Sequence, residues 1–286
     1  MRYAFIAAHE GQYGVKRMCQ TMGVKRSGYY AWRGRPAGLR EQANQILMEE
    51  IKMAYQASRQ TYGSPRVHAA LRRKGMFCGR NRVARLMRTH EIAAQRPRKR
   101  FPVTTQRQEG AFAAPNRLNQ EFSAPAPNRK WVTDITYIDT AEGWLYLASV
   151  LDLYSRMVVG WAMSEYIDAA LVDAAWKMAV QQRNPPPGLL LHSDQGSQFT
   201  SLAYQQALVV QECQASMSRV GNCYDNAVME SFFGTLKMEC ATRQFASRAQ
   251  ARTLIFEYIE AWYNRQRLHS SLGYLSPVEF ELEPRH

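Results

Sequence analysis

The sequence predicts an all-α, basic front region followed by an α/β layered domain built on a mixed five-stranded sheet. Three observations carry this. Up to about residue 95, apolar residues recur at helical spacing, with Gly, Ser and Pro at the breaks. From Trp131 the texture changes to alternating or continuous apolar runs of strand length, interleaved with helical stretches. Between the two lies a segment with RPRKR, five prolines and few aliphatic residues. The expected units are 1–40, helix-turn-helix-like; 41–95, basic and helical; 96–128, a linker; 129–240, the α/β core; and 241–286, a helical extension.

The 286 residues, 46% of them hydrophobic, suffice for a sizeable core. No run of eighteen apolar residues predicts a membrane span, and the start lacks the long apolar stretch of a signal peptide. Five scattered cysteines (19, 78, 213, 223, 240) form no CxxC pair, which fits a reducing cytoplasm and neither a zinc knuckle nor a disulfide framework. The net charge of +13 is localised. Residues 59–107 hold fourteen Lys or Arg and one acid, Glu91, while the rest of the chain balances at 23 of each sign. Such concentration points to a polyanionic partner, most simply nucleic acid; the alternative is a solvated helix face.

In chain order, residues 1–35 read as two short helices divided at Gly23, with Val15, Met18, Cys19 and Met22 on one face. They suit a helix-turn-helix or a plain helical hairpin. A helix over 41–56 follows. In TYGSPRVHAALRRKG, Ser64 can cap, Pro65 suits the first turn and Gly75 ends the helix. Val67, Ala70 and Leu71 make its apolar face, and Arg66, Arg72, Arg73 and Lys74 surround it. The next helix, GRNRVARLMRTH, adds Arg80, Arg82 and Arg85, and the linker adds Arg98, Lys99 and Arg100. Paired basic helices are a good DNA-reading unit, and these residues are the candidate DNA contacts. Beyond them KWVTDITYI, WLYLASVLDL and SRMVVGWAMS read as strands, then DAALVDAAWKMAVQQ as a helix, LLLHSD as a strand, 201–211 as a helix, QASMS as a strand and NAVMESFFGTLKMEC as a helix. This βββαβαβα order implies hairpins leading into parallel pairing. A last amphipathic helix spans 248–263.

Three acids stand out. Asp134 lies mid-strand on the face shared by Val132 and Ile138, an expensive place for a carboxylate without a partner. Asp194 ends the fourth strand, where ligands of open α/β sheets bind. Glu230 borders an apolar stripe of Val228, Met229, Phe232, Phe233 and Leu236 roughly 140° wide. Asn226 and Lys237 share its line. If the first and fourth strands are neighbours, the three carboxylates converge and suit two divalent cations of the Mg²⁺ type, with Lys237 placed for a DNA phosphate.

Thirty-five residues separate Asp194 from Glu230, and a lysine follows seven positions on. With WVTDITYI, GWLYLASVLDLYSRMVVGW, LHSDQGSQFTS, MSRVGNCYDNAVMESFFGTLKMEC and YNRQRLHSSLGYLSP, the chain resembles the second-reading-frame transposases of the IS3 group of bacterial insertion sequences, DDE recombinases related to retroviral integrases. The resemblance extends forward through YGSPRVHAALRRKG and KRSGYYAW. It implies an RNase H-like catalytic domain, with Asp134, Asp194 and Glu230 as the catalytic and metal-binding triad. It further implies two Mg²⁺ per site, replaceable by Mn²⁺, nicking at element ends, and attack of the freed 3′-hydroxyl on a second phosphodiester. The implied partners are double-stranded DNA, a second copy at least, and the product of an upstream reading frame. No zipper-like heptads and no His-His-Cys-Cys module are seen.

Asp139, Asp152 and Asp225 are rival acids expected to be structural, Asp225 as a helix cap. His192 and Ser193 are expected to shape the strand end, Gly196 to let the loop approach the site, and Trp131 and Trp161 to lie in the core. Besides a strand transferase, a non-catalytic DNA-binding regulator and an RNase H-type nuclease are consistent with these features. The paired basic helices favour the first.

Overall fold

A computed structural model describes residues 1–36, 38–94, 114–219, 223–241 and 243–283, with the backbone alone at 223 and 224. The front region opens with three helices, α1 (Arg2–His9), α2 (Val15–Thr21) and α3 (Arg26–Arg33), around Ile6, Met18, Cys19 and Tyr29. The sequence predicts only two. The extra helix, α1, buries a single residue, Ile6, so it has no repeat to reveal it.

Helices α4 (Leu39–Ala57), α5 (Ser64–Arg73) and α6 (Arg80–Thr89) pack through Leu47, Ile51, Val67, Leu71, Val83 and Met87. Pro65 sits in the first turn of α5 as expected, but Gly63, not Ser64, is its N-cap; Ser64 is already helical and its hydroxyl caps nothing. Gly75, at φ +81°, turns the chain after the helix.

The five strands are β1 (Lys130–Thr140), β2 (Gly143–Asp152), β3 (Val158–Ser164), β4 (Leu190–Ser193) and β5 (Gln214–Met217). Their order is β3-β2-β1-β4-β5, antiparallel between β3, β2 and β1 and parallel between β1, β4 and β5. Alternation along β1 divides two cores: Trp131 joins the cluster under α7 (Ala169–Arg183) and α8 (Leu202–Val210), whereas Val132 and Ile138 join the one under α9 (Ala227–Glu239) and α10 (Arg248–Glu257). Helix α7 lies directly on β3 because residue 160 is Gly: a Cβ there would sit 2.6 Å from Ala179 Cβ. Trp131 is fully buried, but Trp161 is half-buried, because its indole N–H reaches Glu260 at 2.8 Å near the surface.

Residues 114–128 belong to the core rather than hanging free. Leu118 is buried, the amides of Arg117 and Leu118 donate to Ser216 Oγ, and Asn116 and Gln120 donate to Asp225. Asp225 also accepts from the Arg219 backbone and guanidinium, and these donors hold its carboxyl well below the ordinary range. It does not cap α9, whose N-cap is Asn226. Asp152 is structural too, accepting from the amides of Asn128 and Tyr154 and from the Trp131 indole.

Helix α10 continues into a π-helical turn, Tyr258–Tyr263, then a 3-10 turn, Ser270–Leu272, and α11 (Pro277–Leu282). This tail ties the front helices to the sheet domain. Tyr62 Oη accepts from the Leu268 amide at 2.7 Å, Arg59 pairs with Glu257 at 2.7 Å and Arg73 with Glu279 at 3.0 Å. Beneath it Arg267 makes a buried, multiply bonded ion pair with Glu239 at 2.9–3.0 Å.

Candidate active site

Asp134 sits in the middle of β1, and its Oδ1 accepts from the Ile135 amide at 2.7 Å. β1 and β4 run parallel with Val132 opposite His192. Two residues further along come Asp134, within β1, and Asp194, the residue just past the end of β4. The Asp194 carboxylate is held by the Gly196 amide at 3.0 Å. A side chain at 196 would meet Asp194 Oδ1 and Gln198 Oε1 at 3.0 Å, so glycine is what lets this loop fold back on its own acid. His192 stays behind the strand end, buried between the hydroxyls of Ser216 (2.8 Å) and Ser218 (3.1 Å); burial holds its imidazole neutral, down at about 4. It is a scaffold group, as expected.

Glu230 lies on the first turn of α9, exposed, on the helix line that begins with Asn226 and ends with Lys237. Asp134 feels all of them. Burial raises its carboxyl first, the Asp194 charge next and Glu230 after that, while Lys237 works against the rise. Lys237 is itself half-buried, pushed down by burial and back up by Asp134. Among the described residues no three His, Cys, Asp or Glu form a group that could hold a metal ion.

The surroundings nonetheless suit a hard cation. The donors are oxygens only. Three buried acceptor oxygens lack a partner among the described residues and belong to residues paired with, adjoining or on the helix line of the acids: Ser149 Oγ, Gln195 Oε1 and Asn226 Oδ1. Ser149 is the cross-strand partner of Asp134, Gln195 adjoins Asp194, and the Asn226 amide nitrogen donates to the Thr133 carbonyl. Buried unsatisfied polar atoms call for an ion or water to satisfy them. Sequence reasoning placed Asn226 on the Glu230 line but missed Ser149 and Gln195. The signal for Ser149 was a hydroxyl inside the apolar run LYLASVLDL.

Comparison with known proteins matches residues 124–223 to an integrase core domain, residues 211–277 to a second integrase core domain model, and residues 41–100 to an HTH-like domain. The chain is 46% identical over 267 residues to the insertion element IS600 uncharacterized 31 kDa protein of Shigella sonnei, covering 92% of this chain and 97% of that one. It is 43% identical over 284 residues to transposase InsF for insertion sequence IS3A of Escherichia coli K12, covering 98% of both. The chain belongs to the IS3 family of insertion-sequence transposases. Among solved structures it is similar to a chain of the simian T-cell lymphotropic virus intasome in complex with PP2A regulatory subunit B56 gamma (TM-score 0.48, 15% identity, 76% of this chain and 71% of that one). It is also similar to the HTLV-2 integrase catalytic core domain in complex with magnesium (TM-score 0.42, 15% identity, 55% and 98%).

In this IS3-family transposase the basic residues singled out for DNA have different placements. Arg72, Arg80 and Arg85 are exposed. Arg73 and Lys74 are engaged by Glu279 and Glu50, and Arg82 donates to Asn44 at 2.8 Å. Arg66 is half-buried and turned towards the C-terminal tail. Arg98, Lys99 and Arg100 lie outside the described residues. No helix among the described residues is long and apolar enough to cross a membrane.

Proposed function

We propose that this transposase is a DDE-type polynucleotidyl transferase in which Asp134, Asp194 and Glu230 are the catalytic carboxylates and hold two divalent cations, Mg²⁺ or in its place Mn²⁺. The observation that carries the reading is that Asp134 and Asp194 each lie two residues beyond the paired Val132 and His192 of β1 and β4, with Asp194, Glu230 and Lys237 close enough to act on Asp134 electrostatically. When bound, the cations would stabilise the attacking and leaving oxygens of an in-line displacement at phosphorus.

The chain's own residues do the positioning. The Ile135 amide fixes one oxygen of Asp134, and the Gly196 amide fixes one oxygen of Asp194. Lys237 offers a cation to a phosphate beside Asp134. Ser149, Gln195 and Asn226 supply acceptors for bound water. The substrate is double-stranded DNA at element ends. Cleavage frees a 3′-hydroxyl, which attacks a second phosphodiester. Residues 41–95, with Arg72, Arg80 and Arg85 outermost, are the reader of that DNA, and 129–240 the catalytic core; the protein works in the cytoplasm as at least a dimer on DNA, with the upstream-frame product as a further partner.

The test is incubation of end-containing duplex with purified protein and Mg²⁺ or Mn²⁺. Wild type should give nicks and joined strands, and Asp134→Asn, Asp194→Asn and Glu230→Gln should give neither. Full activity in Asp194→Asn would sink the assignment. Metal-independent binding without cleavage would favour a regulator, and cleavage of RNA–DNA hybrids without joining a simple nuclease.

A further inference from the structure

We propose that the protein has a second phosphate site, separate from the carboxylates, in a cavity of about 310 Å³ where Arg66, Arg156 and His269 meet behind α9. The site itself stands apart from the catalytic reading, and its assignment to DNA rests on that reading. Four separate pieces of chain build this cavity: α5 brings Arg66, the β2–β3 turn brings Arg156, α9 brings Ser231 and Thr235, and the tail brings His269.

No carboxylate among the described residues lines it. Arg267, also in its wall, is neutralised by Glu239. The other two guanidiniums have no ion-pair partner among the described residues. Arg66 lies 5.7 Å over the Tyr62 ring, and Arg156 donates to the Phe122 carbonyl at 2.9 Å. Asp152, the acid that acts on Arg156, is already occupied by two amides and an indole. Two half-buried cations without counter-charge are costly, and burial depresses both guanidiniums.

His269 supplies the independent sign of a ligand. It is only 8% exposed, and its Nε2 is buried without a hydrogen-bond partner among the described residues. Burial first, and then the charges of Arg267, Arg66 and Arg156, disfavour its protonation, so the ring stays neutral with three guanidiniums acting on it. Two guanidiniums, the hydroxyls of Ser231, Thr235 and Ser270, each able to donate, and the imidazole in the tautomer that carries its proton on Nε2 make a donor-rich cradle. That is the complement of a phosphate, and it rejects a metal cation.

The position identifies the source. Ser231 and Thr235 lie about 100–140° round α9 from Glu230. A DNA strand crossing this helix can therefore set one backbone phosphate in the cradle while another part of the duplex reaches the acids.

The experiment measures binding of a labelled duplex to the intact protein across a salt series with chelator present, so that no chemistry is needed. Arg66→Gln combined with Arg156→Gln should lower the slope of log K against log salt by about one phosphate. Ser270→Glu, at an exposed position, should do the same by placing a carboxylate at the cradle. In parallel, inorganic phosphate should raise the Tm of wild type and not of either variant. A phosphate-dependent Tm with an unchanged slope would keep the site and assign it to free phosphate instead of DNA. An unchanged slope together with no phosphate effect on wild type would overturn the proposal. If the arginine variant fails to fold, Ser270→Glu alone still distinguishes these outcomes.

Discussion

Asp134 and Asp194 stand at the same 60-residue offset as the paired residues Val132 and His192, so the parallel register of β1 and β4 carries the two acids to adjacent places. The register thus sets two like charges side by side, both half-buried. Such an arrangement costs stability in the protein alone. Asp134→Asn should therefore keep or raise Tm in metal-free buffer while cutting strand joining by about 10³-fold or more, the barrier equivalent of ~4 kcal/mol. Thermal melts and joining assays on the same preparation check this. A Tm several degrees below wild type would mean that Asp134 serves the fold.

Gly196 makes a finer test of the same geometry. A Cβ there would press on Asp194 Oδ1 and Gln198 Oε1 at 3.0 Å, and φ at this position needs no glycine, so the substitution shifts the acid more than the backbone. Gly196→Ala should lose up to about 10-fold in rate, since an ångström of displacement can cost about 10²-fold and this contact asks for a few tenths of one, with Tm changed little. Equal activity in the variant would show that the loop tolerates the move.

How much of this was legible in the sequence depends on the range of the interaction. The five strands and their order follow from local alternation and from the βββαβαβα order, and the structure has them. Asp134 stood out because a carboxylate in an apolar strand needs a reason. The terminal features were harder. Ser64 and Asp225 have the right residue types for caps, but Gly63 and Asn226 take those positions. Asp225 is claimed instead by donors from residues 116, 120 and 219. The cradle around His269 joins residues 66, 156 and 269, and no local pattern relates them.

The Glu239–Arg267 pair gives a prediction about the tail. Glu239 accepts from the Arg267 guanidinium, Tyr258 Oη (3.0 Å) and the Trp262 indole (3.3 Å), all buried. Removing one member leaves a buried charge unmatched. Glu239→Ala should cost about 3–5 kcal/mol in urea unfolding. Because the same tail holds Tyr62 through Leu268, the variant should also loosen the front helices. Proteolysis between the two regions, faster in the variant than in wild type, is the expected readout.

His269 makes stability depend on pH. Burial comes first in keeping its ring neutral, followed by the charges of Arg267, Arg66 and Arg156; the other titratable group against it is Tyr263, whose ring lies edge-on at 5.0 Å and whose hydroxyl burial pushes up to about 12. The folded imidazole therefore titrates far below its unfolded value of roughly 6.5. Its contribution is fully present above that value. As pH falls through it, the unfolded chain binds a proton that the folded chain refuses, and stability is lost. At pH 5 the loss from this one group is about 2 kcal/mol relative to pH 8. His269→Gln cannot take the proton in either state. The stability gap between wild type and His269→Gln, measured by urea unfolding, should thus shift by about that amount in the variant's favour between pH 8 and pH 5. A gap that stays constant would mean that the ring titrates normally and that the three guanidiniums do not converge on it.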